Sequence, residues 1–334
     1  MTEAELDERL STPRAETRAA LAQCAGDVVV LGAGGKMGPT LATLVRRAAA
    51  DGRRVMAVSR WSSSDAQRAL EDAGVETIAC DLLDRDAVDV LPDASNVVFM
   101  AGQKFGTTDA PAVTWAMNTI VPEYCAHRYR DARIVAFSTG NVYPLTPVAS
   151  GGARETDPVG PVGEYAASCV GRERVFELYA TRFGTRVSIV RLNYAIDLRY
   201  GVLVDIALRV RRREPVPLAM GHVNVIWQGD ANRIAVESLE RAASPAFVLN
   251  LTGRETLSVR SIAEWFGRRF GVAPTFSGVE RPDALLSNTE RMQSCFAPPE
   301  VSVDHMLAWV GDWIDEGGAL LAKPTHFETR DGRF

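Results

Sequence analysis

The chain has 334 residues, 46% hydrophobic and 24% charged, which suits a globular protein with one large or two smaller cores. Its net charge of −5 argues against the basic bias of a nucleic-acid binder. No run reaches the roughly 18 apolar residues of a membrane helix. The acidic start MTEAELDERL lacks the apolar centre of a secretory signal, and five scattered cysteines point to free thiols in a cytoplasm, with no metal site.

Residues 1–26 form an N-terminal helical extension, in which Ser11-Thr12-Pro13 carries a helix-start signal. It is expected to pack on the outside of the fold or on a partner subunit. Val28–Leu31 then reads as a strand buried on both faces. Gly32, Gly34, Gly35 and Gly38 follow, and Thr40, Leu41, Leu44 and Val45 read as a helix covering the sheet. Gly32 allows a tight turn and Gly35 leaves room for a pyrophosphate. Gly38 lets the helix sit close to the strand, with its first amides facing the anion. The structural alternative is an ordinary strand-to-helix turn. The spacing Gly32-x-x-Gly35-x-x-Gly38 resembles that of the extended short-chain dehydrogenase/reductase family, the nucleotide-sugar epimerases and dehydratases. The resemblance implies that Gly32, Gly35, Lys36, Met37 and Gly38 border the cofactor.

Arg54–Ser59 is the second strand. An acidic residue at its end would read the ribose 2′-hydroxyl of NAD, whereas this chain has Ser59 and Arg60, with Lys36 in the glycine loop. Two cations and no carboxylate favour NADP over NAD; the alternative is a solvated arginine. Residues 66–73 read as a helix, and Thr77–Cys80 as a strand ending in Asp81-Leu82. By the resemblance these two residues lie at the adenine; Asp81 could equally cap a helix over Arg85–Leu91. Asn96–Ala101 is the fourth strand, and Ala101, Gly102 and Lys104 lead into the ligand crevice. Val113–Tyr129 reads as one long helix. Its Asn118 stands where the family often has asparagine; buried there, its amide needs a partner that could be purely structural.

Arg133–Phe137 is the fifth strand and runs into Ser138-Thr139-Gly140-Asn141-Val142-Tyr143. This resembles the family's Ser-[Ser/Thr]-x-x-Val-Tyr, which implies that Thr139 hydrogen-bonds the reacting oxygen of the substrate. Residues 144–163 read as a loop over the site. A helix then runs from Glu164 to about Phe183. The family carries Tyr-x-x-x-Lys here, the tyrosine as acid/base at the cofactor and the lysine holding the ribose and lowering the tyrosine pKa. Tyr165 is in place, but the lysine position is Cys169. A thiol supplies no charge, and a phenol of pKa about 10 is a poor base at pH 7. Three readings stay open: a catalytically dead site, another cation such as Lys104 in the lysine's place, or chemistry in which Tyr165 only orients the substrate. A reactive Cys169 thiol is a further candidate.

Arg186–Leu192 is the sixth strand, followed by Asn193-Tyr194. Val202–Arg213 reads as a helix whose Arg209, Arg211, Arg212 and Arg213 form a solvated end or a phosphate clamp. Asn224–Asp230 leads into a helix over 231–242, Phe247–Leu251 is a strand, and Ser258 caps a helix over 259–270. Trp309 and Trp313, one turn apart, read as core or interface. The expected fold is α/β, a doubly wound parallel-sheet Rossmann-type domain with a small mixed C-terminal substrate region. A dinucleotide-binding core spans 27–193, a mainly substrate-binding region 194–320 with segments returning to the core, and a tail 321–334. The expected function is that of an NAD(P)-dependent oxidoreductase, epimerase or dehydratase acting on a hydroxyl or keto group of a small, sugar-like substrate. The alternative is a non-catalytic NAD(P)-binding sensor or partner subunit. By the resemblance, helices 113–129 and 165–183 pair between two copies as a four-helix bundle; alternatively the N-terminal segment covers them.

Overall fold

The computed structural model describes every residue except Phe105, Thr107, Thr108, Ala322, Pro324 and Phe334. Its centre is a sheet of seven strands: β1 (Val28–Leu31), β2 (Val55–Ser59), β3 (Glu76–Ala79), β4 (Asn96–Phe99), β5 (Arg133–Thr139), β6 (Arg186–Leu192) and β7 (Phe247–Leu251). All pairings are parallel, in the order β7-β6-β5-β4-β1-β2-β3. The order reverses between β1 and β4, the place where a doubly wound sheet opens its ligand crevice. The pleat sends Val28 and Val30 into one core and Val29 and Leu31 into another, so β1 is apolar on both faces.

Thirteen α-helices among the described residues complete the fold. They are α1 (Glu3–Ser11), α2 (Ala15–Gln23), α3 (Gly38–Ala48), α4 (Ser64–Asp72), α5 (Arg85–Asp89), α6 (Pro111–Trp115) and α7 (Val121–Arg128). After them come α8 (Gly163–Phe183), α9 (Val202–Arg211), α10 (Gln228–Arg241), α11 (Val259–Phe270), α12 (Glu290–Cys295) and α13 (Val303–Asp315). The core on one sheet face takes in Leu41, Leu44 and Val45 of α3 with Ile234 and Val236 of α10. The core on the other takes in Val121 and Cys125 of α7 with Phe176 of α8. A small lobe of α9, α11 and α13 has its own core around Leu203, Ile206, Phe266, Val310 and Trp313. Trp313 is thus core, as expected, and Trp309 packs edge-on against Trp227 at 5.3 Å.

Two expectations need correction, and two segments find their place. Ser11-Thr12-Pro13 ends a helix: Thr2 and Glu5 form a capping box at the start of α1, and the Ser11 hydroxyl donates back to Asp7 O at 2.6 Å. The extension packs within this chain, with Leu6 and Leu10 fully buried in the small-lobe core and α2 against α10. The segment 113–129 is not one regular helix, because a π turn over Ala116–Ile120 separates α6 from α7. Pro122 has no amide to give the Asn118 carbonyl four residues back, so the α ladder cannot run through. The tail, which the sequence does not place, meets the small lobe: Phe327 is 1% exposed and belongs to its core.

Candidate active site

The glycine corner is built by close approach. Gly32 has φ +86°, and a Cβ there would sit 2.6 Å from Ala101 N at the end of β4. A Cβ at Gly38 would overlap the Ala33 carbonyl, which fixes the seating of α3 on β1. Gly35 differs, since its Cβ would meet only Gly32 O, at 3.6 Å. The fold does not use that space. No side chain caps the N-terminus of α3, so its first amides are available to an anion.

A cavity of about 520 Å³ opens from this corner. Gly32, Gly35, Lys36, Met37 and Gly38 form one wall, and Gly102, Lys104, Thr139 and Tyr165 face them. Ser59, Arg60, Asp81, Leu82, Ala101 and Asn118 are not in its lining. Ser59 and Asp81 stand at the adjoining ends of β2 and β3, where Ser59 lies against Gly34 and Arg60 is exposed. Asp81 is not the cap of α5: it accepts from Leu83 N, while Asp84 caps the helix by accepting from Ala87 N. Leu82 is buried in the sheet core. Gly102 is tight for a reason other than the one expected, because a Cβ there would overlap the Arg172 guanidinium. Asn118 sits behind the crevice loop. Its amide donates to Gln103 O and Ser168 Oγ, and its oxygen accepts from Gln103 N and from Arg172. The π turn therefore aims Asn118 at the loop and at α8 together.

Tyr165 lies at the start of α8, half-buried, its phenol hydrogen-bonded to Thr139 and to Cys169. Burial pushes the phenol well above its ordinary pKa, the neighbouring Cys169 adds to this, and the Arg172 guanidinium opposes it. Cys169 is fully buried, and burial likewise pushes its thiol up, which removes the reactive-thiolate reading. Lys104 Nζ lies 6.0 Å from the centroid of the Tyr165 ring and donates to Thr325 O at 3.3 Å. Burial lowers its pKa to about 8. Arg172 was missed by the sequence reading, although its place seven residues after Tyr165 puts it on the same helix face. It is 6% exposed and donates to Phe137 O at 2.8 Å. Tyr200, Lys323 and Thr325 also line the cavity and carried no sequence signal.

A buried network holds the end of β5. Ser138 Oγ donates to Glu173 Oε1 at 2.6 Å, and Glu173 pairs with Arg191 at 2.7 Å, the two side chains 1% and 4% exposed. Arg191 donates to the Tyr143 hydroxyl, which donates to Asn250 Oδ1 at 2.8 Å. Tyr143 of the Val-Tyr pair is therefore a brace between β6 and β7. Arg211, Arg212 and Arg213 are exposed, and Arg209 and Arg211 pair with Glu328 and Asp315, so the arginine run is a solvated helix end.

The model of the NAD dependent epimerase/dehydratase family matches residues 28–196, just over half of the chain. The chain belongs to this family. The match takes in β1 to β6, the glycine corner and α8. Several solved structures have a similar fold. A UDP-glucose 4-epimerase of Thermotoga maritima solved with UDP-glucose has a TM-score of 0.72 at 16% identity, over 87% of this chain and 99% of that one. A dTDP-glucose 4,6-dehydratase of Streptomyces venezuelae solved with NAD has a TM-score of 0.72 at 20% identity, over 87% and 97%. A UDP-glucose 4-epimerase of Thermus thermophilus in complex with NAD has a TM-score of 0.70 at 20% identity, over 86% and 98%. No curated protein matches the sequence. The corner fits the family's dinucleotide: the unused space at Gly35 and the uncapped start of α3 are what a pyrophosphate needs.

Proposed function

We propose that this chain is an NAD(P)-dependent enzyme that acts at a hydroxyl- or keto-bearing carbon of a small, sugar-like substrate. The observation that carries the reading is the Thr139–Tyr165 pair facing the cavity into which the glycine corner opens. Gly32, Gly35, Lys36, Met37, Gly38 and Gly102 would border the cofactor near the reacting end. Ser59, Arg60, Asp81, Leu82 and Ala101 would border its adenosine end, and Asn118 would set the crevice loop. Bound there, a nicotinamide cofactor supplies hydride exchange with the substrate carbon. Thr139 holds the substrate oxygen, and Tyr165 hydrogen-bonds it and moves the proton. A phenol raised by burial keeps its proton at neutral pH, so the resting site presents a hydrogen-bond donor to a substrate oxygen. Oxidation of an alcohol needs the phenol to lose its proton, which is where the charges of Arg172 and Lys104 act in place of the family's lysine. The names of the structural relatives, sugar-nucleotide epimerases and dehydratases, support a sugar-like substrate.

The NADP preference rests on Arg60 and on the lack of a carboxylate at Ser59, since the Lys36 ammonium points to Tyr200, 3.1 Å from the ring centroid. Tighter binding of NADPH than NADH, lost in Arg60→Ala, would put a 2′-phosphate on Arg60. A homodimer is supported by Val113, Trp115, Ile120, Leu178 and Phe183, apolar side chains 39–51% exposed on α6, the π turn and α8. Sedimentation of the wild type against Leu178→Glu tests it. Five free thiols, four of them buried, support a cytoplasmic setting. Cys169 favours a second reading, a cofactor-binding sensor, because the neutral pair Tyr165–Cys169 lacks a strong base. Turnover screening with NADH and NADPH on wild type and Tyr165→Phe separates the two. An enzyme loses turnover and keeps cofactor affinity; a sensor turns nothing over and binds alike in both forms.

A further inference from the structure

Three of the 37 basic side chains are lysines and the rest are arginines. All three lysines, Lys36, Lys104 and Lys323, line the cavity of the active site. They come from the glycine loop, the crevice loop after β4 and the C-terminal segment. Lys36 crosses from the glycine loop to the small lobe, where its ammonium sits over the Tyr200 ring. Lys104 faces the Tyr165 ring, and Lys323 is exposed. From Thr325 on, the C-terminal segment is tied to the fold. Thr325 donates its amide and hydroxyl to Asp205 Oδ2 at 2.8 and 2.5 Å, and Arg330 donates to Ala219 O and Asp283 O. Phe327 is buried beyond it.

The lysines also act on one another. Asp205 is the carboxylate that acts on both Lys36 and Lys104, and Thr325 already occupies its Oδ2. Cys169, which also faces Lys104, is a neutral thiol. Burial, Lys104 and Lys323 together push Lys36 down to about 7. Three ammonium groups lining one cavity suit an anionic ligand.

We infer that the cavity takes an acidic substrate: its hydroxyl or keto carbon meets Thr139 and Tyr165 while a carboxylate or phosphate on the same molecule is clamped by Lys36, Lys104 and Lys323. The inference rests on the reading of Thr139 and Tyr165 as the reacting end. The direction of Lys36 assigns the clamp to substrate, since its ammonium leaves the pyrophosphate corner for the small lobe. A lysine's compact ammonium with rotatable donors suits a small oxyanion approached from three sides.

The test is calorimetric titration of the whole protein with malonate and with inorganic phosphate, each with and without saturating NAD. At least one anion is expected to bind wild type. Lys323→Gln should weaken it by about tenfold and Lys36→Gln with Lys323→Gln by more, as expected for lost charged hydrogen bonds. NAD affinity of Lys323→Gln should stay within about twofold. The anion that binds more tightly tells a carboxylate from a phosphate ester. Since the chain has no other lysine, acetylation by an N-hydroxysuccinimide ester gives a second readout: the anion should protect all three. Failure of both anions to bind, or binding that the lysine substitutions leave unchanged, overturns the clamp. So does loss of NAD affinity with anion binding intact, which would put the lysines on cofactor phosphates. If wild type binds no NAD, the functional reading fails, while the titrations without NAD still decide the clamp.

Discussion

The glycine corner and the head of α8 face each other across one cavity, yet they keep to the family pattern differently. At the corner, every glycine stands where the pattern puts it, because the demand there is steric: Gly32 and Gly38 admit no Cβ. At α8, the demand is a positive charge near a phenol. A charge can be delivered from many backbone positions, and on the proposed reading, with Cys169 in the lysine's place, the charges near the phenol are those of Arg172, which acts on it, and Lys104, 6.0 Å from its ring. A steric requirement is thus tied to its residue, and an electrostatic one is not.

Breaking the catalytic side should have the largest effect. Tyr165→Phe is expected to lower turnover by about 10²–10⁴-fold, as for a lost general acid/base. NADH affinity by fluorescence should stay within about twofold, which keeps the two sides separate. Glu173→Ala strikes the frame beneath both. It leaves Arg191 charged and buried without its partner, and chemical denaturation should show a loss of about 3–5 kcal/mol.

A finer comparison asks which cation replaces the lysine. Arg172→Met should move the alkaline limb of the kcat profile up by about one pH unit or more, since a nearby guanidinium favours the phenolate. Lys104→Met should move it less, because Lys104 itself begins to lose its proton near pH 8. Equal shifts would make the two cations interchangeable. The smallest effect concerns the lysines as a group. Lys36 and Lys104 titrate near 7 and 8 in the folded protein, with Asp205, Lys323 and Cys169 as the facing groups. An anion binds their charged forms, so binding takes up protons. Malonate affinity should therefore fall several-fold as pH rises from 6 to 9, and the unliganded protein should not lose stability over that window. For the second point the sign follows from lowered lysine pKa values: the unfolded chain holds more protons above pH 7, so raising pH favours the folded state.

Much of the frame was legible in the sequence. Every sheet strand but β3, which is Glu-Thr-Ile-Ala, announced itself by a short, largely apolar run, and Ser258 caps α11 as expected. The N-terminal error came from reading Ser11 as a start, when serine at a helix end can bond back to its own turn. The site was legible as far as local motifs reach, to Gly32–Gly38, Thr139 and Tyr165. Lys323 and Thr325 were not, because what brings them to the cavity is contact with Asp205 and burial of Phe327. Such long-range packing leaves no periodic mark. Asn118 was seen, but its task, tying the crevice loop to Ser168 and Arg172, depends on a π turn that only the tertiary ladder reveals.

The central claim is that a nicotinamide dinucleotide lies along the corner at Gly35, and one pair of titrations tests it. NADH fluorescence is followed against wild type and against Gly35→Val, with thermal unfolding measured on both. A Cβ at Gly35 meets only Gly32 O at 3.6 Å, so the fold should tolerate a small branched side chain there while the ligand cannot. The expected result is saturable binding by wild type, a Tm within about 3 °C between the two proteins, and affinity lower by about 100-fold or more in the variant. Absence of binding to wild type, or equal binding by both, would contradict the account.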